Sequence, residues 1–210
     1  YARARFFAAE ALGRTADATA TEGLIELLRE NDDQDVYLRH AAALALARIG
    51  NAGKLVSLVS DPSRAVRLGA VVALRRMQHE GIKEFLKDKE ERVVVEAARA
   101  INDDESIAGA MESLGAALLE SKFTSEALIR RAINANLRLG TTASMDRLIQ
   151  YAGRESAPVA LRQEAIDALS TWSRPSVTDR VDGRYRGEIK MDPAEVQQKA
   201  LEPFRKLLLQ

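Results

Sequence analysis

One helical pattern recurs along this chain: an arginine, alanines three and six residues later, and a leucine at seven. Arg39, Ala42, Ala45 and Leu46 form one copy, Arg67, Ala70, Ala73 and Leu74 the next, and Arg162, Ala165, Ala168 and Leu169 a late one. Arg5, Ala8, Ala11 and Leu12 fit the same template and read as the second half of a repeat whose first half lies upstream, so the chain is expected to be a piece of a larger multidomain protein. Two copies are degenerate. Val94, Ala97, Ala100 and Ile101 lack the arginine, while Arg130, Ile133, Asn136 and Leu137 lack both alanines. The copies begin at 5, 39, 67, 94, 130 and 162, at intervals suited to helix-pair repeats with loops of varying length.

Positions 0, 3, 6 and 7 share one stripe of a 3.6-residue helix, so small alanines meet a neighbouring helix at close range and leucine fills the space between layers. A shorter amphipathic stretch precedes each marked helix: Thr21 to Arg29, Ala52 to Val59, Gly81 to Lys87, Ser106 to Leu119 and Ser144 to Tyr151. Asp32-Asp33, Asp61-Pro62-Ser63, Asp103-Asp104 and Ser156-Ala157-Pro158 supply start signals between helices. Gly13, Gly50 and Gly140 stand where marked helices should stop. The expected fold is all-α, a right-handed α-solenoid over residues 1–173, followed by an extended Arg-rich loop over 174–190 and a C-terminal capping helix over 191–210. In that last segment Asp192-Pro193 opens a helix with Val196, Ala200, Leu201, Phe204, Leu207 and Leu208 on one stripe.

Composition narrows the chemistry. Ala occurs 35 times and Leu 25 times, while 46% hydrophobic content is enough for a core. Lys plus Arg and Asp plus Glu are both 31, so no net field gathers nucleic acid or anionic lipid. Without cysteine there is no thiolate nucleophile, zinc finger, iron–sulfur cluster or covalent haem attachment within these residues. No run approaches the roughly 20 apolar residues of a membrane span. His40 and His79 are the only histidines and lack the i, i+4 spacing of a helical metal site. No Ser–His–acid set or Gly-rich phosphate loop is readable. The expectation is therefore no catalytic, cofactor or metal residue in this chain, and partners that are proteins or neighbouring domains, not nucleic acid and not a bilayer.

The arginines at 5, 39, 67, 130 and 162 could form an anion-binding ladder; the favoured reading is structural, with each guanidinium bonding Asp33, Asp35, Asp61 or the carbonyls of the preceding turn. Glu10, Glu96, Glu164 and Asp167 could pair as carboxylates, and the favoured reading is a solvated face. Arg75, Arg76, Arg99, Arg131, Asn134, Arg138 and Asp167 fall off the Ala/Leu stripe and are expected to be exposed, several on the inner curve where such arrays bind partners. Between Arg174 and Lys190 helical periodicity lapses, and long loops of this kind often carry function. The candidate partner-binding set is thus Arg75, Arg99, Arg131, Asn134, Arg138 and Asp167, with Arg180, Arg184, Tyr185 and Arg186 from the loop. Trp172 is read as a core plug, the alternative being a contact aromatic.

The stretch Asp61-Pro62-Ser63-Arg64-Ala65-Val66-Arg67, followed by Ala70, Ala73 and Leu74, resembles a HEAT repeat. Residues 30–41, 66–76, 93–103 and 131–140, with Asp179 to Arg186, are similar to the HEAT region of large bacterial membrane-bound dehydrogenases of the sugar or sorbosone type. The aromatic and Pro that usually follow that last motif are altered here. This resemblance implies an accessory scaffold domain in an exported oxidoreductase, periplasmic or at the cell surface. A propeller domain would hold a quinone cofactor and a cytochrome c domain the haem, with neither held by these residues. Alternatives within the same architecture are a DNA glycosylase-like or bilin lyase-like enzyme and a freestanding adaptor.

Overall fold

A computed structural model describes residues 1–189, Met191 and Arg205. Their helices are α1 (Ala2–Thr15), α2 (Thr21–Asn31), α3 (Val36–Ile49), α4 (Ala52–Ser57), α5 (Arg64–Arg76), α6 (Glu91–Asn102), α7 (Met111–Glu120), α8 (Glu126–Leu139), α9 (Thr142–Ala152) and α10 (Val159–Ser170), with short 3₁₀ segments between them. Among the described residues extended pairing is confined to one isolated bridge, Thr178 with Tyr185. The chain divides into two compact units, Tyr1–Ile101 and Asn102–Gln210. The proposed capping helix at 191–210 lies outside the described residues apart from Met191 and Arg205.

Start and stop signals act in part where the sequence places them: Ser63, Pro158, Gly50 and Gly140 do, whereas α3 is capped by Asp35 and not by Asp32 or Asp33. Asp35 caps α3 by accepting from the N–H groups of Tyr37 and Leu38, Ser63 caps α5 through Val66, and Thr141 caps α9 through Ser144. Gly50 and Gly140 end α3 and α8 in the left-handed region, at φ 78° and 64°, where a Cβ would be strained. Gly13 does not end α1. Ala16 does so at φ 51°, and Gly13 lies a turn earlier inside the helix, where a Cβ would stand 2.7 Å from Ala45 Cα. The glycine is a packing residue, required because α1 approaches α3 backbone to backbone.

In the first unit α1, α3 and α5 pack successively, and α2 and α4 form the second layer against α3 and α5. The recurrent stripe is the buried seam: Ala42, Ala45, Leu46, Ala70, Ala73, Leu74, Ala97, Ala100 and Ile101 are all buried. The first copy departs from register, because Ala8, Ala11 and Leu12 are exposed and Ala9 with Gly13 make the contact instead. The segment expected as a helix from Gly81 to Lys87 is a 3₁₀ helix over Glu80–Lys87. Its apolar anchors Ile82 and Phe85 are three apart, the spacing that a three-residue turn stacks on one face.

In the second unit α8 packs on α10 and α7 on α9, with α7 and α9 also against α8. The degenerate copy here works by a polar substitution. Asn136 is fully buried and donates to the Gly115 and Ala132 carbonyls, both at 2.9 Å, while Gly115 opposite it has no Cβ to obstruct the carboxamide. Trp172 is 2% exposed just beyond α10 and plugs the core. Each unit is therefore a two-layer stack of helix pairs, the α-solenoid class of fold.

The tightest test of this packing is Arg67, whose side chain is as buried as its partner Asp88. Replacing Asp88 by Ala strands a guanidinium in the first unit and should destabilise it by about 3–5 kcal/mol, Arg67→Ala by a similar amount, and the double variant by much less than the sum. Urea unfolding of the three proteins checks this.

Candidate functional site

Charged side chains in both units are organised around carboxylates in the turns between helices. Asp33, almost fully buried, is met by Arg39 and by Arg92 at 2.6 Å. Asp61 accepts both arms of the Arg29 guanidinium, at 2.8 and 3.1 Å, and the Ser63 N–H. The Arg29 hydrogen bonds lead the effects that hold the Asp61 carboxyl below its ordinary range, against a partial burial that would raise it. Arg67 bonds Asp88 at 2.7 and 3.3 Å and the carbonyls of Asp61 and Pro62. Arg5 pairs with Glu30, and Arg162 donates to the Ala152 carbonyl at 2.8 Å. Arg130 breaks the series: it bonds Glu126 and approaches Glu164 at 3.5 Å, and neighbouring Arg131 reaches the turn carboxylate Asp103 at 2.6 and 2.8 Å. Asp35, offered as an arginine partner by the sequence, is used as the α3 cap instead.

The most built polar site lies in the second unit. Beyond Trp172 the chain turns back as a strap, Ser176 to Arg186, closed by Arg186 N–H to the Val177 carbonyl and Asp179 N–H to the Arg184 carbonyl, both 2.8 Å. Gly183, at φ 74°, makes the tip turn. Asp179 points inward. One carboxylate oxygen accepts from the N–H groups of Val181 and Asp182 at 2.8 and 3.2 Å, and the other from Asn134 Nδ2 at 2.9 Å and Arg186 Nε at 3.2 Å. Asn134 also donates to Asn102 Oδ1 and accepts from the Arg180 N–H. Arg186 donates onward to the carbonyls of Asn102 and Asp104, at 2.8 and 2.5 Å, and to Asp182. Arg138 holds the Ser176 carbonyl at 3.0 Å.

This arrangement corrects several expectations of exposure. Asn134 is 1% exposed, because its carboxamide sits between Asn102 and the strap. Arg131 is mostly buried by its Asp103 pair, Arg138 is partly buried under Ser176, and Arg186 is folded inward among two carboxylates and two carbonyls. Arg180 turns toward Glu164 at 3.7 Å. Arg75 is half-buried near the end of α5. Arg99 and Asp167 are exposed, with Arg99 paired to Glu96, and Arg184 is exposed beside Asp104. Tyr185 at the strap tip is 74% exposed. The structure thus brings Asn134, Arg138, Arg180, Arg184 and Arg186 to one place and leaves Arg75, Arg99 and Asp167 outside it.

Other readings fare as follows. Glu10 and Glu96 each pair with an arginine on their own helix, and Glu164 lies between Arg130 and Arg180, so these groups form ion pairs and no carboxylate dyad. His79 Nδ1 accepts from the Gly81 N–H as a cap, and His40 is exposed. Among the described residues no three His, Asp or Glu groups are placed to hold a metal ion, and no helix is long and apolar enough to cross a membrane.

Sequence reasoning missed an apolar groove of about 300 Å³ in the first unit, where Phe6 and Phe7 of α1 face Tyr37 and Leu38 of α3. Phe7 is 53% and Tyr37 71% exposed. The adjacent phenylalanines were its only signal. It also missed Asn102 and Asp104, whose main-chain carbonyls carry no mark in a sequence.

Burial alone would raise the Asp179 carboxyl, but the N–H groups of Val181 and Asp182 and the Arg186 guanidinium outweigh it and hold it below the ordinary value. A depressed folded value means that the seated strap gains stability fully present above the unfolded carboxyl value of about 3.9, and loses it as pH falls through the folded value. The amide resonances of Val181 and Asp182 should therefore stay fixed from neutral pH down to about pH 3.9 and move together only below it. Asp179→Asn should abolish that transition.

Comparison with known proteins fits this architecture. Residues 31–102, which span the copies marked by Arg39, Arg67 and Val94, match a family model for HEAT repeats, supporting a HEAT-repeat protein. No curated protein matches the chain.

Proposed function

We propose that this chain is a noncatalytic scaffold that binds other protein segments through the exposed side chains of its helix pairs. The observation that carries the reading is the stack of HEAT-like pairs itself, an architecture usually noncatalytic and suited to protein interaction. The internal arginines and turn carboxylates are largely committed to one another, so recognition falls to side chains outside those pairs. Tyr37 with Phe7 in the first unit and Tyr185 in the second, beside the exposed Arg184–Asp104 pair, are of the types that anchor interfaces. Nucleic acid is not the proposed partner, because equal numbers of acidic and basic residues leave no net field to attract it.

The finer proposal is that the partners are neighbouring domains of an exported, periplasmic or cell-surface oxidoreductase, with quinone and haem c held by those domains. Its support is the resemblance of residues 30–41, 66–76, 93–103, 131–140 and 179–186 to that class of dehydrogenase.

Affinity for a neighbouring domain, measured by calorimetry, should fall about tenfold or more in Phe7→Ala/Tyr37→Ala or in Arg184→Ala/Tyr185→Ala, with the helical circular dichroism unchanged. Full affinity in both variants would overturn the assignment of these surfaces. Protein purified from its native source should show a haem Soret band; a preparation without a chromophore would remove the oxidoreductase setting and leave the scaffold reading standing.

A further inference from the structure

The strap is held in an unusual way for a segment of its length. Apart from Asp179, its side chains contribute little to a core: Ser176, Val177, Thr178, Gly183, Arg184 and Tyr185 are exposed. What fixes it is a set of polar contacts, several of them to main-chain atoms. Arg138 takes the Ser176 carbonyl, Asn134 takes the Arg180 N–H, and Asp104 N–H bonds the Asp182 carboxylate. Contacts to backbone groups do not depend on which side chains the bound segment carries, so another segment that folds back in the same way can make them.

Beside Asp182 with the Asp104 N–H, Arg180 with Glu164 and Arg184 with Asp104, the two most buried side-chain contacts of the strap are a carboxylate and a guanidinium seven residues apart. Asp179 meets the Asn134 carboxamide, and Arg186 fills a socket formed by the Asn102 and Asp104 carbonyls. The receiving side is left with more capacity than the strap uses. Arg138 Nη2 is buried with no hydrogen-bond partner, on a guanidinium already biased by burial toward the neutral form. Each exchange of such a bond for one to water changes little, and segments with few buried apolar groups open before the helices they rest on. Once the strap leaves, Asn102, Asn134 and the two carbonyls are open to water or to a second segment with the same pattern of donors and acceptors.

We propose that Asn102, Asn134, Arg138 and the Asn102 and Asp104 carbonyls form a binding site for a hairpin-shaped peptide, with the strap Ser176–Arg186 as its displaceable intramolecular occupant. The partner is a tight hairpin of another protein that presents a carboxylate and, seven residues on across its turn, an arginine beside it. This deepens the scaffold reading by naming the ligand chemistry of one site and rests on that reading.

The probe is a fluorescein-labelled peptide with the sequence of residues 174–189, and the readout is fluorescence anisotropy with the full chain. Asp179→Ala/Arg186→Ala loosens the strap without touching the receiving side chains. It should bind the peptide at least tenfold more tightly than the unaltered protein, and adding Asn134→Ala should reverse the gain. Equal binding by the loosened and unaltered proteins, or a gain that survives Asn134→Ala, overturns the proposal. If the loosened variant does not fold, amide exchange on the unaltered protein decides: Val181, Asp182 and Arg186 should exchange at least tenfold faster than the core amides of α8. A single common rate would mean that the strap never leaves alone and would also overturn the proposal. Failure of either kind leaves the Phe7/Tyr37 and Arg184/Tyr185 tests of the scaffold reading unaffected.

Discussion

A carboxylate taken out of water in the turn between two helices must be met by a cation, and most of the polar architecture of this protein follows from that. The cost of removing an ion from solvent is several kcal/mol, roughly, even after relaxation, so an unpaired Asp33 or Asp88 would not persist at a few per cent exposure. Each turn solves the problem locally. Asp33 takes Arg39 and Arg92, Asp61 takes Arg29, Asp88 takes Arg67 and Asp103 takes Arg131. Because the arginine generally comes from a different helix pair than the aspartate, pairing also fixes the register of one pair on the next. The apolar stripe supplies the driving force for stacking, and the ion pairs determine which stacking is allowed.

The strap obeys the same rule. Asp179 is as buried as the turn aspartates and takes Arg186, but here both members belong to the strap itself. The pair therefore preorganises the strap, and the attachment falls to the Asn134 carboxamide, the Asn102 and Asp104 carbonyls and the Arg138 guanidinium, with Arg180 and Arg184 facing Glu164 and Asp104. This division explains why the second unit has Asn102 and Asn134 at positions where alanine would have sufficed for packing. Asn134 lies off the stripe and satisfies the strap, whereas Asn136, two residues on, takes a stripe position and ties α7 to α8. One degenerate repeat thus hides two separate polar tasks.

How much of this the sequence revealed depends on the range of the interaction. Helix starts and stops and the Ala/Leu seam are set within eight residues, and Ser63, Gly50 and Gly140 act as their identities suggest. The slip of the first copy, where Ala9 and Gly13 replace Ala8 and Ala11, is decided by how closely α1 approaches Ala45, more than thirty residues away. Exposure failed at Asn134, Arg131 and Arg138 for the same reason: off-stripe position on a helix means solvent only if nothing else returns to cover it. The arginine partner in each turn was legible as a type and not as an individual, since Arg130 and Arg131 are adjacent and only the second reaches Asp103.

Equal numbers of acidic and basic residues are usually taken to mean an electrostatically quiet protein, and here the balance has a specific origin. Charges that neutralise one another at hydrogen-bond distance produce fields that decay within a few ångströms, so long-range steering contributes little to association. A partner would then be selected at contact, by aromatic side chains such as Tyr37 and by hydrogen-bonding groups of fixed direction such as the Asn134 carboxamide. Contact selection of this kind discriminates through groups that must be satisfied once desolvated, and a ligand lacking the matching donor or acceptor leaves them unpaired. On that basis the internal pairing of arginine with aspartate does more than stabilise the stack: by withdrawing most charge from recognition, it leaves shape and hydrogen bonding as the means by which partners are told apart.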